Sequence, residues 1–215
     1  ILDLCDLSES DRQHWGQLAG TFAANGEKVL ACGWQDLAAA PGTVPATGFR
    51  LAGLISVTDP IRAGVREAVE QARAAGIQIV MVTGDHPQTA AAIARGAGIA
   101  EAPLVILGDD LVSTLDRMSE EQLGDLAVVA RASPAQKVLV VEALRRTGRI
   151  VAVTGDGVND APALRAADVG IAMGLRGTRT AREVSAIVLM DDNFQTIVTA
   201  IAEGRQLFQN LRRSF

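Results

Sequence analysis

The sequence predicts an α/β protein built on a doubly wound, mostly parallel sheet, preceded by a segment of different character. Two observations carry this. From Leu51 onward, short wholly apolar runs alternate with alanine-rich amphipathic stretches, the pattern of central strands covered on both faces by helices. Within that pattern "VMVTGDHPQTAAA" (80–92) and "VAVTGDGVNDAPA" (151–163) repeat one design, an apolar strand, Thr-Gly-Asp and then a helix. Open α/β sheets bind ligands at the carboxyl ends of their strands, so a duplicated loop there predicts a site between the two copies.

In chain order, residues 1–50 hold both tryptophans, Trp15 and Trp34, a helical stretch from Asp11 to Ala24 and a Pro/Gly/Thr-rich loop from Ala40 to Gly48. The strands of the regular region are expected at 51–57, 77–82, 127–132, 150–153, 169–173 and 186–190, and the helices at 62–75, 87–97 and 134–146. Pro87 and Pro134 fall at helix starts, where a missing amide hydrogen costs least. Gly76 and Gly148 fall at helix ends, where a left-handed residue closes the last turn. At the C-terminus Phe194, Ile197, Val198, Ile201, Phe208 and Leu211 recur at helical spacing, and the helix ends in basic residues, Arg212 and Arg213.

With 215 residues, 48% of them hydrophobic and 21% charged, the chain can bury a substantial core. A formal net charge of -5 and the lack of a Lys/Arg block argue against nucleic acid as a partner. Cys5 and Cys32 have no His at metal-ligand spacing and read as reduced thiols. No run approaches the length of a membrane span.

The residue types at the strand ends fit phosphoryl transfer, which needs Mg²⁺, donors around the phosphate and a fixed positive charge. Asp156 at a strand tip is the natural Mg²⁺ ligand, with Asp160 completing or orienting that shell. The Thr83 hydroxyl and Gly84 amide can donate to a phosphoryl oxygen, and Lys137 in "ARASPAQK" offers a point charge. Taken singly these residues have plainer readings. Asp85 and Asp160 stand where helix N-caps belong, and Arg131 and Lys137 read as solvated charges. The joint occurrence of "TGD", "ARASPAQK" and "TGDGVNDAPAL", in that order and each at a strand end, is what such roles do not produce.

With those three motifs, "LAGLISVTDPIR" and "MVTGDHPQTAAAIARGAGI", the chain resembles the cytoplasmic part of P-type cation-transporting ATPases, whose phosphorylation domain has the haloacid dehalogenase-like, Rossmannoid fold. The resemblance is strong over 51–215 and loose over 1–50. It implies part of an α+β nucleotide-binding domain at 1–57, a phosphorylation domain at 58–211 and the start of a membrane stalk helix at 212–215. It further implies a hinge at Asp59, Pro60 and Arg62, and Mg²⁺ at Asp156 with Asp160 in or beside the same shell. Thr83, Gly84, Asp85, Arg131, Lys137 and Asn159 would contact ATP or the transferring phosphate. Lys28, in "NGEKVLAC", stands where the family usually has an arginine reaching the nucleotide phosphates; the exchange keeps charge and loses the bidentate fork.

The family's phosphorylated aspartate lies in an Asp-Lys-Thr-Gly-Thr stretch that these 215 residues do not contain. The resemblance therefore implies a phosphorylation domain without its first strand, inactive alone. In the intact protein it implies a multi-pass location in the cell membrane, with this segment on the cytoplasmic side. The partners would be ATP, a transported cation, the membrane helices and the actuator domain. "VLMDDNFQTIVTAIAEGRQLFQNLRRS" looks more like pumps for alkali and alkaline-earth cations, with calcium favoured, than like pumps for soft metals. Two alternatives stand beside it. One is a soluble phosphatase of the same superfamily with Asp59 as nucleophile, although Ile61 occupies the place of its second acid. The other is a non-catalytic Mg-nucleotide-binding module.

Overall fold

The computed structural model describes residues 1–36, 45–58 and 60–214. Asp59, expected at the hinge and as the alternative nucleophile, lies outside the described residues, as do Phe215 and most of the loop expected at 40–48.

The N-terminal unit consists of α1 (Glu9–Ala24), β1 (Lys28–Trp34) and β2 (Arg50–Val57). Ser8 starts α1 by accepting the Asp11 amide, an N-cap that offsets an otherwise unpaired donor. The expected strand at 51–57 is present as β2, but it does not join the parallel sheet: it pairs antiparallel with β1, Lys28 facing Val57 and Trp34 facing Arg50. Its mixed burial, intermediate and exposed residues only, fits a two-stranded ribbon with one open face.

The rest is α2 (Val65–Ala74), β3 (Met81–Val82), α3 (Pro87–Gly96), β4 (Leu104–Leu107), α4 (Leu111–Leu115), α5 (Glu120–Asp125), β5 (Leu126–Ala130), α6 (Pro134–Arg146), β6 (Ala152–Gly155), α7 (Ala161–Ala166), β7 (Val169–Met173), α8 (Arg179–Val184), β8 (Ile187–Leu189) and α9 (Phe194–Ser214). Pro87 and Pro134 open their helices, and Gly76 and Gly148 take φ of +75° and +76° just past the ends of theirs. Ser133 and Gln136 form a reciprocal capping box on α6.

The parallel strands form two sheets of three, in the orders β3-β5-β4 and β6-β7-β8. Among the described residues no ladder joins β3 to β6, so the single expected sheet is divided between the two Thr-Gly-Asp strands. Of the run expected at 77–82, only Met81 and Val82 pair, both with β5. Helices nonetheless cover both faces. Every residue of β5 is buried; Leu126 and Val129 face a core shared with α6, while Ala127, Val128 and Ala130 pack on Ala90 and Ala94 of α3. On β7, Ala172 meets α7 and α8, and Ile171 meets Ile197 of α9. The core around α6 takes Val80 and Val82 from the region of one sheet and Val151 and Val153 from the region of the other, so one hydrophobic cluster spans the division.

The expected stripe on α9 is split. Phe194, Ile197, Val198 and Ile201 pack inward, whereas Leu207, Phe208 and Leu211 are exposed. Among the described residues no helix is long and apolar enough to cross a membrane.

Candidate functional site

Two loops at the carboxyl ends of β3 and β6 gather the expected residues. The first is stitched to the exit of β5 by backbone bonds: the Thr83 amide donates to the Val129 carbonyl (2.9 Å), the Ala132 amide to the Thr83 carbonyl (2.9 Å) and the Arg131 amide to the Asp85 carbonyl (3.1 Å). Arg131 makes this turn at φ +56°, a left-handed conformation unusual for a long side chain and of a kind concentrated at functional loops.

Within the loop the Thr83 hydroxyl donates to Asp85 Oδ2 (3.0 Å) and accepts from the Asp85 amide (3.1 Å). Asp85 Oδ1 receives Lys28 Nζ at 3.0 Å. The structure thus brings Lys28 of the N-terminal unit to the first Thr-Gly-Asp loop. The expected N-cap role of Asp85 is not realised. His86 occupies the cap of α3, its Nδ1 accepting the Gln88 amide, because Asp85 lies one residue too early and its carboxylate is committed to Thr83 and Lys28.

The second loop holds Asp156, Asn159 and Asp160. Asp160 is the N-cap residue of α7 but makes no side-chain cap; its carboxylate reaches backward instead. Oδ2 accepts the amides of Gly157 (3.0 Å) and Asp156 (3.3 Å), and Oδ1 receives Lys137 Nζ at 2.6 Å. Burial opposes the charge on Asp160, but the Lys137 bond and the two amides outweigh it and hold its carboxyl below the ordinary carboxylate range. Gly155 makes the contact possible: a Cβ there would lie 2.5 Å from the Cβ of Asp160. At Gly84, by contrast, a Cβ would meet nothing nearer than 3.9 Å.

Lys137 bridges the two sheets by an ion pair. It sits in the first turns of α6, which leaves β5 of one sheet, and it pairs with an aspartate beyond β6 of the other. At 22% side-chain exposure it is not the solvated lysine its position alone would imply. Asp156 and Asn159 of the second loop are exposed. Among the described residues no hydrogen bond or ion pair joins the Lys28–Asp85 group to the Lys137–Asp160 group.

The donor set fits Mg²⁺. Among the described residues no three His, Cys, Asp or Glu side chains form a metal cage, but Mg²⁺ is ordinarily held by one or two carboxylates, with waters and phosphate oxygens completing the shell. An exposed Asp156 on a loop fixed by Asp160 supplies that many hard oxygens.

Sequence reasoning missed one part of this loop. The Thr178 amide donates to the Asp156 carbonyl at 2.7 Å, so the segment after β7 supports Asp156 from behind. The signal available was the glycine-rich "MGLRGT" that follows β7.

The two parallel sheets with loops of this kind at their strand ends define a class. The chain matches the haloacid dehalogenase-like hydrolase family over residues 11–168, and it belongs to that family. The matched span crosses the division expected at residue 57.

More particular likeness comes from whole proteins. The sodium/potassium-transporting ATPase subunit alpha-A of Artemia franciscana is 43% identical, the match covering 79% of this chain and 20% of that protein. Subunit alpha-1 of Catostomus commersonii is 44% identical over 79% of this chain and 19% of its own length. Subunit alpha-3 of Gallus gallus is 45% identical, with 75% and 19% covered. The chain spans about one fifth of the length of these relatives. Their names are those of sodium/potassium pumps and lend no support to the calcium expectation.

Proposed function

We propose that the chain is the phosphate-handling segment of an ATP-driven cation pump that cycles through an aspartyl phosphate. The observation that carries this reading is the Lys137–Asp160 pair at the meeting of the two sheets, with Asp160 bound to the amides that set the Asp156 loop. The identity of 43–45% to sodium/potassium pump subunits supports it.

In this reading Asp156 holds Mg²⁺, and Asp160 orients the loop beneath it. The ion, when bound, neutralises charge on the phosphate oxygens. Lys137 contributes a second fixed positive charge, and Asn159 positions the phosphate. Thr83 and Gly84 donate to the transferring group from the first loop, while Asp85, Arg131 and Lys28 serve the nucleotide. Lys28 and Asp85, paired with each other here, separate or share the nucleotide when ATP enters.

The acceptor aspartate belongs to an Asp-Lys-Thr-Gly-Thr stretch outside these 215 residues. We place its strand between β3 and β6, each at the end of its sheet. Residues 1–57 then belong to a nucleotide-binding domain, 58–211 to the phosphorylation domain with Pro60 and Arg62 at its hinge, and 212–215 to a stalk toward membrane helices. The segment faces the cytoplasm, and the actuator domain and membrane helices are its intramolecular partners. Sodium and potassium, named in the relatives, take precedence over calcium as the transported ions to test.

The test is labelling of the intact protein with radioactive phosphate from the γ-position of ATP, with each ion supplied in turn. The expected result is an acid-stable, hydroxylamine-sensitive phosphoprotein that requires Mg²⁺ and one of these ions. It should disappear in Asp156→Ala at unchanged expression. Normal labelling of that variant would overturn the assignment of Asp156.

A further inference from the structure

Asp192 is the one carboxylate among the buried residues described, at 7% exposure, and the proposed chemistry does not use it. It lies in the turn between β8 and α9 with φ +51°, a conformation aspartate tolerates better than most residues. Its two oxygens are divided between successive amides across the turn: Oδ1 accepts from Leu175 (3.0 Å) and Oδ2 from Arg176 (2.8 Å). Arg62, from the hinge segment, donates from Nη1 to the Asp192 carbonyl at 3.1 Å. The carboxylate's burial works against its charge, and the Leu175 and Arg176 amides, with the Arg176 charge, outweigh that and keep it below the ordinary carboxylate range.

The clamped segment leads to the site. Gly174 donates to the Leu189 carbonyl at 2.7 Å. Arg182 donates to the carbonyls of Gly174 (3.0 Å) and Gly177 (2.8 Å). At Gly177 a side chain would run into the Met173 carbonyl oxygen, so the segment is folded tightly on itself. Its next residue is Thr178, whose amide holds the Asp156 carbonyl at 2.7 Å.

We propose that Asp192 is a positioning residue for Asp156: by clamping Leu175 and Arg176 it fixes the 174–177 segment, which sets the Thr178 amide under the Asp156 backbone. A carboxylate is required because two amide hydrogens must be accepted at once by one side chain. Asparagine accepts one and presents its own N–H₂ to the other, while still tolerating the left-handed backbone. Arg62 steadies the clamp from the hinge side, so the hinge segment and the Mg²⁺ ligand share one line of hydrogen bonds. The proposal rests on the assignment of Mg²⁺ to Asp156.

The experiment is a Mg²⁺ titration of the intact protein, following the Gly157 and Thr178 amides by hydrogen-exchange mass spectrometry, with melting temperature recorded in parallel. Asp192→Asn is expected to raise the Mg²⁺ Kd about three- to tenfold, less than the 10- to 100-fold usual for groups that touch a metal ligand's side chain. It should also speed hydrogen exchange at Thr178. The control is Asp168→Asn, which removes the same charge; Asp168 accepts the Val151 amide (2.9 Å) and pairs with Arg145 (3.0 Å) at the other end of these strands. That variant should lose melting temperature and keep its Mg²⁺ Kd within about twofold, on the view that unconnected sites act independently.

Loss of Mg²⁺ binding in Asp156→Asn with no change in Asp192→Asn would overturn the positioning role alone. No Mg²⁺ response in the intact wild-type protein, or one untouched by Asp156→Asn, would overturn the metal assignment and this proposal with it. If Asp192→Asn does not fold, Arg182→Met takes its place, since it frees the Gly174 and Gly177 carbonyls of the same segment; an unchanged Kd and unchanged Thr178 exchange there would show that the 174–177 segment does not set the Asp156 loop and would overturn the proposal.

Discussion

Asp160 shows what one residue's surroundings do to a reading from sequence. Its spacing from Asp156 allows either a helix cap or a metal shell, and the structure gives it a third task, that of binding the amides before it while pairing with Lys137. The sequence displayed the residue types but not this direction, because the direction depends on Gly155 having no side chain in the way. The pair yields a pH prediction. The folded-state pKa of Asp160 is depressed, so its contribution to stability is fully present above the unfolded value of about 3.9 and is lost as pH falls through the lower folded value. Lys137→Met removes the largest interaction favouring the carboxylate and leaves its burial unopposed by charge. The wild-type advantage in chemical denaturation is therefore expected to be greatest near neutrality and to shrink below about pH 4. A carboxyl-carbon NMR titration of Asp160 should move upward in the variant. Parallel stability curves from neutrality to pH 3, with no displacement of that titration, would contradict the assignment.

At the scale of elements, the long periodic helices and the short strands β6, β7 and β8 were legible, and the segment between α3 and β5 was not. α6 was visible from Pro134, its alanines and Gly148, and β5 from its unbroken apolar run. β4, α4 and α5 are absent from the sequence reading: "LVIL" has no Thr-Gly-Asp or similar loop after it to mark a strand end, and the two helices that follow are only five and six residues long. The serine–glutamine capping box of α5 was the available signal. The apolar pattern groups β2 with the parallel strands while the division at residue 57 keeps it with residues 1–50; its antiparallel pairing with β1 is not visible in either, because an apolar run does not give the direction of its partner. Glycines inside elements give opposed predictions. In α1 a Cβ at Gly16 would meet nothing within 4 Å, so Gly16→Ala is expected to stabilise the chain by about 0.5–1 kcal/mol through helix propensity and a less free unfolded state. In β7 a Cβ at Gly170 would lie 2.5 Å from the Leu164 carbonyl oxygen, and Gly170→Ala is expected to destabilise by about 1–3 kcal/mol through overpacking. Paired denaturant melts check both signs, and a stabilised Gly170→Ala would show that α7 yields more easily than its packing implies.

At the scale of the whole molecule, the question is how firmly the N-terminal unit is joined to the sheets. The Lys28–Asp85 pair, with side chains 55% and 27% exposed, contributes little by itself. The stronger link is buried: Thr89 of α3, at 2% exposure, donates its hydroxyl to the Glu27 carbonyl at 3.1 Å just before β1. Both tryptophans lie in the N-terminal unit, Trp15 on α1 and Trp34 beneath Arg50 at 5.3 Å, so fluorescence reports that unit while far-ultraviolet dichroism reports mainly α2–α9. In the wild-type chain the two signals are expected to change together on denaturant unfolding, as one cooperative unit requires. Thr89→Val keeps most of the volume but leaves the Glu27 carbonyl without that partner, a cost of about 1–3 kcal/mol falling on the junction. The expected outcome is a fluorescence midpoint that moves to lower denaturant than the dichroism midpoint, with the N-terminal unit detaching while the parallel sheets stay folded. If both midpoints shift together, Thr89 supports a single cooperative structure. If neither moves, the junction is held by the packing of α1 on α3, and the buried hydroxyl is dispensable.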